Sequence, residues 1–195
     1  MSDAVAKLDK SEAPEATAAD AAAASSSAAF HSELHNTTII LMRHAEKPDD
    51  PNNPDLAPAG FARAKELVDY IPEHFGRTPD YLFASKDSKN SVRPRETLEP
   101  LSEKIGVAID TSVKDKNYDE LAQELNDPKF DGKFIAIAWH HGKIPELAQA
   151  LGAPAGTYPA KWNGQVFNQI LEFDFDKDGH ESIKTITEDF ANPKN

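Results

Sequence analysis

The chain has 195 residues, enough for one folded domain with a substantial core. It contains no cysteine, which excludes disulfides, thiolate catalysis and cysteine metal sites. A formal net charge of −12 argues against nucleic acid as a partner, because a phosphate backbone needs a basic face. It leaves room for a small phosphorylated ligand held by a few local cations and backbone N–H groups.

Residues 1–36 read as an acidic, Ala- and Ser-rich tail. Ala13 to Ala29 is mostly alanine, and such a segment cannot bury enough surface to offset its ordering entropy. Asp3 and Asp9 interrupt its start and no apolar stretch follows, so no secretory signal is expected. No apolar run approaches the length of a membrane span. The expectation is a tail before a single domain over 37–195, in the cytoplasm and without a membrane partner.

Thr37 to Met42 is an almost uninterrupted apolar run rich in β-branched residues, the pattern of a strand buried on both faces. Arg43 and His44 follow at its carboxyl end, where ligands collect in open α/β sheets. Imidazole is a nucleophile that titrates near neutrality, and guanidinium is a planar fork for phosphate or carboxylate. The pair suggests a covalent site for an anionic group. Asp49 to Pro58 is a Pro-, Asp- and Asn-rich loop expected to border it. Ala64, Leu67, Val68, Ile71 and Phe75 then recur at helical spacing, with Pro72 expected to kink or end the helix.

Asp80 to Ser85 is a second buried-strand candidate. Beyond it, Arg93 and Thr97 lie four apart at a helix start marked by Pro94, with Arg95 as a competing cation and Pro100 expected to disturb the helix. Val107 to Ile109 reads as a short strand, and Asn117 to Leu125 as a helix carrying Asp119 and Glu120 on its polar side. Lys133 to Trp139 is the second wholly apolar strand run, and it ends in His140 and His141 before Ile144 and Pro145 start a helix. Adjacent strand residues point to opposite sides, so the two histidines are not expected to share a metal ion. Tyr158 and Trp162 sit in a loop over Ala153 to Gly164, either lining a pocket or packing on the sheet. Val166 to Asp174 and Ser182 to Thr187 read as strands joined by an Asp178-Gly179 turn. Asp174, Asp176, Asp178 and Gly179 resemble half a calcium loop, but Thr185 stands where the closing Glu belongs, so a plain acidic hairpin is expected.

Taken in order, a strand ending in Arg43-His44-Ala45, the helix start Leu56-Ala57-Pro58-Ala59-Gly60, Arg93 followed by Thr97, and a strand ending in His140 resemble the histidine phosphatase superfamily. These are the phosphoglycerate-mutase-like enzymes, and the small phosphatase type fits best. The resemblance implies a three-layer α/β/α sandwich around a mostly parallel sheet. It implies that His44 attacks phosphorus to form phosphohistidine, that Arg43, Arg93 and His140 hold the phosphoryl group, and that no cofactor or metal takes part. His141 replaces a residue that is usually small. The proton donor of many relatives lies in the region of Asp119 and Glu120, either of which is a candidate, with Glu46 a weaker third. Only 96 positions separate His44 from His140, little room for the insertions that enclose a sugar phosphate. The expected activity is therefore hydrolysis of a phosphorylated small molecule or phosphoprotein. A mutase-type phosphotransferase and a non-catalytic phosphate- or phosphoprotein-binding domain are the alternatives. The oligomeric state stays open.

Overall fold

A computed structural model describes residues 33–189; most of the expected tail, and the last residues, lie outside the described part. Six strands form one sheet in the order β3-β2-β4-β1-β5-β6. The strands are β1 (Thr37–Arg43), β2 (Tyr81–Ala84), β3 (Ile109–Asp110), β4 (Phe134–Trp139), β5 (Gln169–Phe175) and β6 (Glu181–Thr187). β1 pairs in parallel with β4, β4 with β2 and β2 with β3. β5 runs antiparallel to both β1 and β6. The result is a mixed, mostly parallel sheet with helices on both faces.

The two apolar runs are central because each buries both of its faces. Ile39 and Leu41 with Ile135, Ile137 and Trp139 join one core cluster, together with residues of α3 (Tyr118–Leu125) and α4 (Ile144–Ala150). Ile40 and Met42 with Phe134, Ala136 and Ala138 join the other, with α1 (Pro58–Phe75) and α2 (Arg93–Ile105). Alternation along the strand, multiplied by two covered faces, is why neither run alternates in polarity.

Three details depart from the sequence reading. α1 runs on through Pro72 and α2 through Pro100. A proline removes one helical hydrogen bond, and burial of Leu67 and Ile71 in α1 and of Leu98 and Leu101 in α2 holds each helix across the gap. The short third strand is Ile109–Asp110 rather than Val107 to Ile109. The fold also begins ahead of Thr37: Leu34 is in the core, and the amides of Glu33 and His35 donate to Asn126 Oδ1 and Asp131 Oδ1.

The calcium-like stretch is the β5–β6 hairpin tip. Asp176 accepts from the amides of Asp178 and His180, which makes a side-chain turn. No helix among the described residues is long and apolar enough to cross a membrane.

Candidate active site

Parallel pairing of β1 with β4 sets Arg43 beside Trp139. The next residue of each strand is a histidine, so His44 and His140 emerge together at the carboxyl edge of the sheet. Their ring centroids are 5.2 Å apart in an edge-to-face arrangement. Both are neutral: burial first, and then neighbouring positive groups, push His44 down to about 2 and His140 to about 4.

His44 is 2% exposed and its Nδ1–H donates to the Ala45 carbonyl at 2.7 Å. A carbonyl only accepts, so this bond fixes the tautomer and leaves the lone pair on Nε2. The backbone on either side of that bond is pinned. The His44 amide donates to Trp139, and the Ala45 amide donates to Thr97 Oγ1 at 2.9 Å. Thr97 Oγ1 in turn donates to the Arg93 carbonyl at 2.8 Å. The Arg-to-Thr spacing thus ties the start of α2 to the residue after His44.

Arg43 is also buried. Its Nη1 donates to the carbonyls of Gly164 and Val166 at 2.7 and 3.1 Å, and its guanidinium carbon lies 3.7 Å from the centre of the Phe167 ring. Nε and Nη2 have no partner. Burial lowers Arg43 to about 10, which keeps it a cation at neutral pH. Arg93, the first residue of α2, donates from Nη1 to Asn53 O and from Nη2 to Asn90 O, while its Nε is buried without a partner. Its charge bears on both histidines. Arg95 is committed elsewhere, in ion pairs with Asp87 and Glu99 at 2.8 and 2.9 Å. Of the two competing cations, the structure gathers Arg93 with His44, Arg43 and His140.

It does not gather the acids. Asp119 and Glu120 are exposed on α3. Glu120 accepts from Asn117 Nδ2 at 2.7 Å, and Asp119 borders a separate hollow with Ala122, Gln123, Asn126 and Ala150. Neither contributes to the electrostatics of either histidine. The helix is where its periodicity puts it, but Leu121, Ala122 and Leu125 take the inward face and leave Asp119 and Glu120 outside. Glu46 is close in sequence but occupied: Arg63 Nε and Nη2 grip its carboxylate at 2.7–3.0 Å. Arg63 Nη1 also holds the buried Glu188 at 2.6 Å. Glu188 is pushed up to about 7 by burial, against the opposing pull of Arg63.

This Glu46–Arg63–Glu188 chain escaped the sequence reading, since its partners lie 17 and 125 positions apart. Asp115 escaped it too. Its pKa is raised by burial and its Oδ1 lacks a partner, but it lies toward Lys143 and Glu146 rather than the histidines. Gly60 has a legible cause. A Cβ there would stand 2.4 Å from the Glu46 carbonyl oxygen, which already accepts from the Ala57 amide at 2.8 Å. Only glycine lets the start of α1 press against the loop leaving His44.

Two open clefts share Gly164, the residue whose carbonyl holds Arg43. One, of 690 Å³, runs past His141, Gln149, Tyr158 and Lys161. The other, of 340 Å³, lies between Arg93, Phe167 and the loop of Lys47, Asp49 and Asp50. Trp162 is largely buried, with its Nε1 donating to Val166 O, and it borders the larger cleft together with Tyr158. His140 and His141 do not form a metal cluster. The one group of three potential ligands found among the described residues is Asp176, Asp178 and His180 at the exposed hairpin tip.

A neutral imidazole with a free Nε2, beside two guanidinium groups holding unpaired N–H groups, can receive a phosphoryl-type anion and attack it. Comparison with solved structures places this geometry in a known fold. SixA from Agrobacterium tumefaciens matches over 78% of this chain and 99% of its own, with a TM-score of 0.54 and 18% identity. A mycobacterial glucosyl-3-phosphoglycerate phosphatase matches over 78% and 99%, at 0.55 and 14%. The phosphoglycerate mutase of Plasmodium falciparum matches over 82% and 99%, at 0.50 and 16%. No family model and no curated protein sequence matches the chain. The chain therefore has the phosphoglycerate-mutase-like fold, the fold its motifs imply; at these identities the likeness is one of fold, and fold alone does not assign a reaction.

Proposed function

We propose that the protein is a phosphomonoester hydrolase that works through a phosphohistidine. The observation that carries this reading is the fixed tautomer of His44: with Nδ1–H given to Ala45 O, the neutral ring offers Nε2 as a nucleophile beside the unpaired N–H groups of Arg43 and Arg93. In the first step the Nε2–P bond forms and the bond from phosphorus to the leaving oxygen breaks. The Nδ1–H stays on the ring, which becomes cationic, and the Ala45 carbonyl stabilises that charge. Arg43 and Arg93, with His140 at the opposite edge, take the negative charge on the non-bridging oxygens. In the second step water attacks phosphorus, inorganic phosphate leaves, and neutral His44 is restored.

The leaving oxygen departs with the bonding electron pair as an oxyanion and takes its proton from solvent water. Asp119 and Glu120 face solvent and Glu46 is bound to Arg63, so none of the candidate acids among the described residues stands beside the histidines to supply that proton. Substrates with intrinsically good leaving groups are accordingly the ones this site turns over fastest. The substrate is a phosphorylated small molecule or protein side chain, reached through the open clefts.

The test is acid-quenched and base-quenched labelling with a ³²P-labelled aryl phosphate, wild type against His44→Ala, with phosphate release followed in parallel. A base-stable, acid-labile label with turnover, both lost in the variant, is expected. Turnover without such a label, or a label that survives His44→Ala, would overturn the phosphohistidine route. Phosphate binding with no label and no release from any ester would replace the enzyme by a binding domain.

A further inference from the structure

The larger cleft has features that binding a phosphoryl group does not use. It starts at His141, next to His140, and its far wall is the loop carrying Tyr158, Lys161 and Trp162. Its 690 Å³ lies within the range of small-molecule sites and far exceeds the space of one phosphate. The His141 Nδ1 is buried with no hydrogen-bond partner. Its Nε2 comes within 3.7 Å of where a Cβ of Gly164 would stand, so the ring lies against the residue that holds Arg43. The charges along the cleft do not cancel. Glu146 is neutralised by Lys143 at 2.7 Å, while Lys161 is exposed and makes no ion pair among the described residues. In the smaller cleft Asp49 and Asp50 stand against Lys47 and Arg93, so its charges largely offset one another.

We propose that the cleft behind His141 is the subsite for the leaving group, and that it takes a group bearing a carboxylate. Lys161 provides the charge that reads it, and His141 provides a neutral hydrogen-bonding edge between that charge and the phosphoryl site. Trp162 and Pro145 give the apolar wall against which an aromatic or aliphatic body lies. In a chain of net charge −12, such a local unpaired cation is needed before an acidic molecule will settle anywhere.

This rests on the phosphatase reading above, and the experiment separates the two. Hydrolysis of phenyl phosphate and of 3-carboxyphenyl phosphate is measured for wild type, Lys161→Ala, Lys161→Arg and His141→Ala. The readout is the ratio of kcat/KM for the carboxylated over the plain ester. The wild-type ratio is expected to exceed one and to fall about tenfold in Lys161→Ala, to recover in Lys161→Arg, and to fall in His141→Ala. A ratio at or below one in wild type, or one that Lys161→Ala leaves unchanged, overturns the subsite. Loss of hydrolysis of both esters with no labelled histidine in wild type breaks the phosphatase reading itself, and the subsite falls with it.

Discussion

The two strand ends that carry the histidines are built to opposite rules. At the β1 end the groups that fix the His44 ring and the backbone beside it are spent. Nδ1 is on Ala45 O, the Ala45 amide is on Thr97, Glu46 is on Arg63, and Arg63 is on Glu188. At the β4 end the groups are left open. The His140 ring makes no hydrogen bond among the described residues, and His141 Nδ1 and Asp115 Oδ1 are without partners. A nucleophile must be held in one position, and bonds within the protein do that. A recognition surface must keep its donors and acceptors for something else, at a cost in stability. Closed and open halves thus meet across 5.2 Å between two rings.

The strongest way to break the contrast is to damage the closed half at its tightest point. Gly60→Ala puts a methyl 2.4 Å from a backbone carbonyl oxygen, so the start of α1 has to move. A loss of about 1–3 kcal/mol in urea denaturation is expected, together with a fall in kcat, because the displaced loop is the one leaving His44. Normal stability with normal activity would show that the corner is not rigid.

Thr97→Val comes next. It keeps the shape but strands the buried Ala45 amide, for an expected loss of about 1–3 kcal/mol. Phosphoenzyme should form more slowly, while phosphate affinity, which depends on Arg43 and Arg93, changes little. Equal losses in both would place Thr97 in plain packing.

Acid and base bring out the same contrast, with signs that oppose each other. Glu188 has its folded value raised to about 7 from 4.5, so its protonated form favours the fold. The stability it contributes is full below 4.5 and is lost as the pH rises through 7. His44 and His140 are lowered from 6.5, so their contribution is present above 6.5 and is lost as the pH falls toward about 4 and then 2. Glu188→Gln should flatten the decline in thermal stability between pH 5 and 8 and leave the acid-side decline in place. An unchanged profile would remove Glu188 from the account. Since the His44 ring stays neutral throughout the accessible range, kcat/KM should show no acid limb near 6.5. Appearance of such a limb would point to a protonated histidine in the free enzyme.

The smallest effect belongs to the cation outside both halves. Arg95→Ala breaks two partly exposed ion pairs and should shift stability by under about 1 kcal/mol with activity intact, whereas Arg93→Ala should lower kcat/KM by orders of magnitude.

The two strand ends were the most legible part of the sequence. β1, β4 and their terminal histidines show as uninterrupted apolar runs ending in charge, because a strand covered on both faces has no other way to read. Gly60 and Thr97 stand at motif spacings whose physical cause is local: a close backbone approach and an amide to be capped. Only the four-residue spacing to Thr97 favours Arg93 over Arg95 in the sequence, and the direction each takes from the first turn of α2 separates them in space. The partners Arg63 and Glu188 were invisible, being brought together by sheet closure 125 positions apart. The candidate acids lie apart from the histidines for the opposite reason. Asp119 and Glu120 lie on the expected helix, but periodicity gives the inward face to Leu121 and Leu125, and that face decides where a carboxylate points. The prolines inside α1 and α2 do not end their helices, because propensity is local and the burial that overrides it is not.

The anchoring of Leu34 has a practical consequence for handling the molecule. The described chain enters at the start of β1, where the Asn36 amide donates to Asp176 O and the Gly132 amide donates to His35 O. From there β1 runs its seven residues, about 20 Å, to the edge that carries Arg43. A surface, label or fusion partner attached ahead of Glu33 therefore joins the molecule at the end of the sheet remote from both clefts. Immobilised in that orientation, the protein presents its histidines outward to whatever flows past.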